Sequence, residues 1–286
     1  MSLLLLLLVL TEVNPTPTLV ILSAANGPLY WLLQLLLLLL FVLVVPVKPL
    51  TTPYQQTASA LASHPILRTP YNQLSMSQQT ITAVLFDYGM VLSGPPDPAA
   101  WIRLKQIFHA DEPAFHAAFW NHRDDYDRGA LNAVTYWQAV ANDLHQTLTP
   151  TQLAELIAAD NILWTQPNQP MIDWAATLQR ANIKTGILSN IGDEMERGIL
   201  ARFPWLQNFN HLTFSHRLRM AKPDLAIYHH AAEGLATPPS EILFLDDREE
   251  NIAAARTAGM TAIQYTTHPA FIESMTTQNL THLLHP

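Results

Sequence analysis

The chain has 286 residues, 49% of them apolar, which is enough to bury a sizeable core in one or two domains. Its formal net charge of -8 argues against a nucleic-acid partner, because binding to phosphate backbones depends on clustered Lys and Arg. The absence of cysteine excludes disulfides, thiolate nucleophiles and cysteine metal sites, and suits a reducing compartment such as the cytoplasm.

Residues 1–75 differ in composition from the rest of the chain. Their only charged side chains are Glu12, Lys48 and Arg68. Two leucine-rich blocks, 3–10 and 31–47, precede a segment rich in Pro, Thr, Gln and Ser, which is typical of a disordered linker.

Two interpretations of this extension stay open. The block 31–47, with the two apolar residues before it, approaches the roughly 20 apolar residues that cross a bilayer, which predicts a membrane anchor. The basic residues Lys48 and Arg68 follow the block and place the C-terminal part in the cytoplasm. Alternatively, the native protein starts at Met76, the upstream sequence comes from a wrongly assigned start, and no membrane is involved.

From Ile81 onward, short apolar runs alternate with amphipathic stretches. Such alternation predicts an α/β fold, a Rossmann-like parallel sheet with helices on both faces. The predicted strands are Ile81–Phe86, Lys184–Leu188, His211–Phe214, Glu241–Leu245 and Thr261–Tyr265, and the intervening helices are Asp193–Phe203, Asp224–Leu235 and Glu249–Ala258.

The interval 98–180 breaks this alternation, because it contains helical patterns and no convincing strand. Thr149 and Pro150 form a typical N-cap and N1 pair for one of its helices. We therefore predict a catalytic core made of 76–97 and 181–286, with 98–180 inserted as a helical cap. The predicted cap helices are Ala99–His109, Pro113–His122, Asn132–Gln146 and Thr151–Ala159.

Distinctive polar residues follow the ends of three predicted strands. Ligands of such sheets bind beyond the carboxyl ends of the strands, so we expect these side chains to converge. Each alone has a structural explanation as a turn, a cap or a solvated side chain, but together they predict a site for a divalent metal and a phosphate. They are Asp87, Ser189, Asn190, Asp246 and Asp247, with Lys222 in a loop before a helix.

Four segments that carry these residues resemble the sequence motifs of the haloacid dehalogenase-like (HAD) hydrolases. They occur in the family's order within about 81–265, and "YDRG" at 126–129 resembles the subgroup with a helical cap after the first motif. The segments are VLFDYGMVL, ILSN at 187–190, KPDLAIY at 222–228 and FLDDREENIAAARTAGM at 244–260.

The resemblance implies a role for each matching residue. Asp87 would be the nucleophile that forms an aspartyl-phosphate. Ser189 and Asn190 would donate hydrogen bonds to the phosphoryl oxygens, and Lys222 would neutralise phosphate charge and orient Asp87.

The implied cofactor is magnesium. Asp87, Asp247 and the backbone carbonyl of Gly89 would hold it, and Asp246 would be a further ligand or a supporting partner. Asn251 stands where many relatives carry another acid near the metal, which suggests a supporting role.

Gly89 is a departure from the family pattern. Phosphatases of this family usually carry a second aspartate there, as general acid and base. Without it, the enzyme would need a good leaving group, a substitute from the cap such as Asp97 or a histidine, or a water.

Three functional classes follow from this departure. The favoured one is a magnesium-dependent phosphatase that acts on a small phosphorylated metabolite. A dehalogenase that needs no metal fits Gly89 but has no use for the paired acids Asp246 and Asp247. The third is a catalytically weak member that binds a phosphorylated ligand or a partner protein.

Overall fold

The computed structural model describes residues 80–286. The predicted apolar blocks, the linker, the membrane anchor and the alternative start at Met76 lie outside these residues and stay predictions. Within 80–286, the helices are too short or too polar to cross a membrane.

All five predicted strands are present in one parallel sheet. Its order is β3-β2-β1-β4-β5, so β1 lies at the centre between β2 and β4. The strands are β1 Ala83–Phe86, β2 Lys184–Ser189, β3 His211–Phe214, β4 Ile242–Asp246 and β5 Thr261–Gln264.

The central strands are apolar on both faces because each face is covered by helices. Successive side chains of β1 point to opposite faces, so Val84 and Phe86 enter one apolar cluster while Ala83 and Leu85 enter the other. This pattern confirms the predicted α/β sheet.

Within the described part of the chain, five helices cover the sheet. Three contribute buried side chains to the cluster of Val84 and Phe86: α6 Gln169–Arg180, α7 Asp193–Arg202 and α11 His268–Thr277. Two cover the opposite face: α9 Leu225–Gly234 and α10 Glu249–Thr257. A single turn of helix, α8 Ser215–Leu218, follows β3.

The segment between β1 and β2 is helical, as predicted, and has its own apolar cluster of aromatic and aliphatic side chains. Thr149 caps the helix Pro150–Leu163 and forms a capping box with Gln152, with Pro150 in the first turn. The helices before α6 are α1 Pro98–Ile107, α2 Glu112–Asn121, α3 Arg123–Asp127, α4 Ala133–Asp143 and α5 Pro150–Leu163.

Helix α6 lies inside the interval predicted as cap but packs on the sheet. Its buried residues Met171, Trp174 and Leu178 recur at helical spacing and join the cluster of Phe86, and each contributes roughly 2 kcal/mol by burial. The division into cap and core stays a prediction, and α6 is the part of 98–180 that contacts the sheet. Periodicity alone did not reveal this helix, nor the short α3 and α8 or the terminal α11.

Candidate active site

The candidate site lies at the carboxyl edge of the three central strands. Phe86 is in register with Ile187 of β2 and Leu245 of β4, so the next residue, Asp87, lies beside Asp246. The backbone N–H of Asp87 donates to the carbonyl of Leu245 at 2.8 Å and extends the ladder by one bond. Strand order and register thus bring the sequence-predicted acids together.

Lys222 lies between two of these acids. Its Nζ atom is 2.9 Å from Oδ2 of Asp87 and 2.6 Å from Oδ2 of Asp246, and its side chain is almost completely buried. Burial alone would lower the pKa of Lys222, but the two carboxylates outweigh it and raise the pKa above its ordinary value. The ammonium therefore stays charged.

Three carboxylates meet around this lysine. Oxygens of Asp87, Asp246 and Asp247 all lie within 4.8 Å of one another. Burial raises the pKa of Asp87 to about 7, and the two neighbouring acids add to that shift while Lys222 opposes it. One ammonium does not neutralise three carboxylates, and a set of hard oxygen donors is what magnesium prefers, so these residues fit that ion.

The three acids are not equivalent. Asp246 is fully buried, and its Oδ1 atom accepts hydrogen bonds from the Arg248 N–H and the Asn251 side chain, both at 2.9 Å. Because Lys222 occupies its other oxygen, Asp246 holds its neighbours in place. Asp87 and Asp247 instead face the cavity described below.

Asn190 braces the lysine loop. Its Oδ1 atom accepts from the Lys222 N–H at 2.8 Å, and its Nδ2 atom donates to the Lys222 carbonyl at 2.9 Å. One amide hydrogen is left for a ligand. Ser189, at the end of β2, also lines the cavity.

The backbone at Gly89 does not require glycine. Its φ of -62° and ψ of 133° suit any residue, and a Cβ atom built there has no other heavy atom within 4 Å. Met90, the next residue, makes the tight turn with a φ of 59°, and its N–H donates to the Ser93 hydroxyl at 3.2 Å. The turn would therefore accept a side chain at position 89, and its geometry does not explain the missing acid.

A cavity of about 190 Å³ opens over these residues. The sheet edge supplies its charged floor, whereas much of its remaining wall is apolar. The apolar lining residues are Met90, Trp120, Trp164, Ile191 and Met195.

A buried ion-pair cluster forms the polar part of the wall on the side of α3. The Arg123 Nε atom donates to both oxygens of Asp127 at 3.1 and 3.2 Å, and its Nη1 atom donates to both oxygens of Asp160 at 3.1 and 3.3 Å. Arg123 and Asp127 line the cavity, and Asp160 lies behind them. Burial raises the pKa of Asp127 to about 6, although Arg123 pulls it down.

The stretch 126–129 attaches the helical segment to the sheet side of the site, and each of its residues makes a contact with that side. Tyr126 packs on Gly192, where a side chain would overlap its ring, and Gly129, with a φ of 77°, packs on the backbone of His216. The Asp127 carbonyl accepts from the Ser215 hydroxyl, and Arg128 pairs with Asp224. The YDRG motif at 126–129 thus joins the helical segment to the sheet side of the site.

The suggested substitutes for the missing acid, Asp97 or a histidine, need correction. Asp97 does not face the cavity: its carboxylate caps α1 through Ala99 and Ala100 at 2.8 and 2.9 Å and accepts from Gln166. The histidines among residues 80–286 are likewise absent from the cavity wall. Asp224, the residue before α9, makes no side-chain cap bond, and its carboxylate pairs with Arg128.

Sequence reasoning missed Asp127 as a site residue. It lies two helical segments away from the nearest catalytic motif, and only its place in "YDRG" marked it. Trp164, the residue that follows α5, also lines the cavity.

Comparisons with known proteins bear on the family and the fold of the chain. The family model described as haloacid dehalogenase-like hydrolase matches residues 81–259. Bifunctional epoxide hydrolase 2 of Rattus norvegicus is 36% identical over 100 residues, which cover 34% of this chain and 18% of the rat protein. A sesquiterpene phosphatase from Aspergillus oryzae is 40% identical over 47 residues, 16% of this chain and 24% of the fungal protein.

A HAD family enzyme from Bacteroides thetaiotaomicron has a similar fold. Its crystal structure superposes with a TM-score of 0.59 at 20% identity and covers 68% of this chain and 98% of the bacterial one. A second structure of that enzyme holds magnesium and inorganic phosphate, with a TM-score of 0.54 at 20% identity. At this identity the likeness shows the fold alone.

Proposed function

The chain belongs to the haloacid dehalogenase-like hydrolase family, and on that premise we propose that it is a magnesium-dependent phosphatase. The observation that carries the proposal is the juxtaposition of Asp87, Asp246 and Asp247 within 4.8 Å, with the Lys222 ammonium bonded to two of them. Such a cluster provides a nucleophile, a cation site and a positive charge for an anionic substrate at one point.

Asp87 is the proposed nucleophile. Its Oδ1 atom accepts from the Tyr88 N–H at 2.7 Å and its Oδ2 atom faces Lys222, so both oxygens are held in fixed directions. Attack on phosphorus would form an aspartyl-phosphate, and hydrolysis of that intermediate would release phosphate.

The other residues would bind and orient the phosphoryl group. We propose that the Ser189 hydroxyl and the free amide hydrogen of Asn190 donate to phosphoryl oxygens, and that Lys222 stabilises their charge. Asp87, Asp247 and the Gly89 carbonyl would hold magnesium, with Asp246 supporting the set. When bound, the ion supplies Lewis-acid stabilisation of charge on the phosphoryl oxygens.

The substrate proposal is a small phosphorylated metabolite whose alcohol carries an apolar group. The cavity wall away from the carboxylates includes Trp120, Trp164 and Met195. The two arginines that line the cavity, Arg123 and Arg248, are already paired with carboxylates, which disfavours a second anionic group. A short segment of the chain is also similar to a sesquiterpene phosphatase, which is consistent with an apolar alcohol.

A dehalogenase is the second candidate, because Gly89 removes the acid that an alkyl leaving group needs and a halide does not. A dehalogenase would make no use of Asp247, which faces the cavity beside Asp87. A weakly catalytic binding protein is the third candidate and has the same support in Gly89.

One assay separates the three candidates. Wild-type protein and Asp87→Asn are incubated with para-nitrophenyl phosphate, with magnesium or a chelator, and in parallel with a chlorinated carboxylic acid. We expect phosphate release that needs magnesium and is lost in Asp87→Asn. Chloride release in chelator would instead support the dehalogenase, and absence of both would support the binding protein. If Asp87→Asn released phosphate as fast as wild type, the assigned nucleophile would be wrong.

A further inference from the structure

The cavity contains one carboxylate that the proposed metal and phosphate chemistry does not use. Asp127, at the end of α3, lines the same cavity as Asp87 but comes from the helical segment. Gly89, where relatives carry the general acid, offers no side chain. We propose that Asp127 is the general acid and base of this enzyme, an inference that rests on the proposed phosphatase function.

The remaining titratable groups on the cavity wall are committed elsewhere. The Tyr88 hydroxyl donates to the Trp164 carbonyl at 3.0 Å, and burial raises its pKa further above neutrality. Lys222 is bonded to two carboxylates, and Asp247 belongs to the acidic cluster. Arginine does not release its proton in proteins.

Hydrogen bonds hold the backbone of Asp127 at a fixed position relative to the loop after β2, which carries the proposed phosphate ligands. The Ser215 hydroxyl donates to the Asp127 carbonyl and accepts from the Ile191 N–H at 2.8 Å. Ile191 directly follows the proposed phosphate ligands Ser189 and Asn190. One buried hydroxyl therefore joins the backbone of the proposed acid to the loop that would bind the phosphoryl group.

The charges around Asp127 let it gain and lose a proton. Arg123 is shared with Asp160, so it keeps a partner when Asp127 is neutral. The charged groups that act on Asp127 are Arg123, Asp160 and Asp124. Burial outweighs the arginine, and the resulting pKa of about 6 suits proton transfer near neutral pH.

The proposed reaction balances in two steps. As an Asp87 oxygen bonds to phosphorus, the bond from phosphorus to the alcohol oxygen breaks, and that oxygen keeps the electron pair and takes the proton of Asp127. A water then attacks the phosphorus of the aspartyl-phosphate, gives one proton to the Asp127 carboxylate and expels the Asp87 carboxylate. The net reaction converts ester and water into alcohol and phosphate and restores both acids.

The test compares two leaving groups in matched variants. Alkyl alcohols need protonation as they leave, whereas nitrophenol leaves readily as an anion. We expect Asp127→Asn to lower kcat for an alkyl phosphate by roughly a hundredfold or more and to lower it for para-nitrophenyl phosphate by less than about tenfold. Asp143→Asn is the control, because this carboxylate of the helical segment bonds Asn121 and His122 and does not line the cavity, and it should leave the ratio of the two rates unchanged.

The pH profile provides a second readout. With the alkyl ester, wild type should lose activity on the alkaline side of the Asp127 pKa of about 6, and Asp127→Asn should lack that limb. Ionisation of the substrate phosphate is the same for both proteins and cancels in their ratio.

A second variant separates the loss of an acid from the loss of structure, because a new acid can replace the first but cannot restore a damaged fold. In Gly89→Asp, the new carboxylate would supply the acid. Adding Asp127→Asn to that variant should therefore lower kcat for the alkyl phosphate only slightly. Equal loss on both esters, or the same loss whether or not Gly89→Asp is present, would overturn the proposal. Failure of wild type to release phosphate from either ester would instead overturn the proposed function.

Discussion

The carbonyl of Asp127 and the hydroxyl of Ser215 are hydrogen-bonded across the boundary between the helical segment and the sheet. Ser215 is fully buried and also accepts from the Ile191 N–H. A single side chain thus satisfies two backbone groups that come from different parts of the chain. The geometry of the cavity depends on it.

Ser215→Ala should destabilise the protein. The substitution leaves the Asp127 carbonyl and the Ile191 N–H without their partner, and a buried unpaired group costs about 1–3 kcal/mol. Urea unfolding measures the loss. Thr276→Ala is the control, because its hydroxyl bonds the Ile272 carbonyl on the exposed face of α11. A loss no larger than that of the control would show that the Ser215 bridge contributes little.

In the Asp127→Asn background, Gly89→Asp should increase the hydrolysis of alkyl phosphates. The backbone angles at Gly89 suit any residue and the position has room for a Cβ atom, so the new carboxylate can act as acid without distorting the turn. The expected gain in kcat is about tenfold or more. Gly89→Asn, which has the same shape without an ionisable group, is the control, and an equal gain in both variants would contradict the explanation.

The free energy of unfolding should depend on pH because the pKa of Asp127 is raised in the folded protein. A carboxyl whose pKa is higher in the folded state, here about 6, binds its proton more tightly when folded, so its contribution to stability falls as pH rises from the ordinary value of 3.8 towards 6. We therefore expect the free energy of unfolding of wild type, relative to Asp127→Asn, to be lower at pH 8 than at pH 5. A higher relative value at pH 8 would mean that Arg123 outweighs burial and depresses the pKa.

Magnesium should stabilise the folded protein through Asp247. An ion that binds the native state alone raises the melting temperature with its concentration. We expect this rise in wild type, a much smaller one in Asp247→Asn, and an unchanged one in Asp173→Asn, whose exposed carboxylate bonds Gln169. A rise of equal size in Asp247→Asn would remove that residue from the metal site.

Much of the core and the site could be predicted from the sequence because the signals are local. Asp87, Ser189 and Asp246 each end or follow a buried apolar run, and a parallel sheet aligns such ends. Other features depend on contacts between residues that are far apart in the sequence, which the spacing of residues in a motif does not reveal. They are the hydrogen bonds of Asn190 to Lys222, the bonds of Asp246 to protein donors, and the ion pair of Asp224. Asp127 was missed for the same reason.

The fold also contained helices that the pattern did not separate. Helix α6 has a regular apolar stripe, but it follows the capped helix α5 closely, and both were read within one inserted segment. Its assignment to the sheet depends on contacts such as that of Trp174 with Phe86, whose ring centroids are 5.4 Å apart.

The most direct test of the account is whether phosphate becomes attached to Asp87 during turnover. Wild-type protein mixed with magnesium and a phosphate ester, quenched with acid within one turnover and digested, should yield the peptide containing Asp87 with the added mass of one phosphoryl group. Asp87→Asn should yield none. An unmodified Asp87 in protein that is releasing phosphate, or a phosphoryl group on another residue, would contradict the central claim.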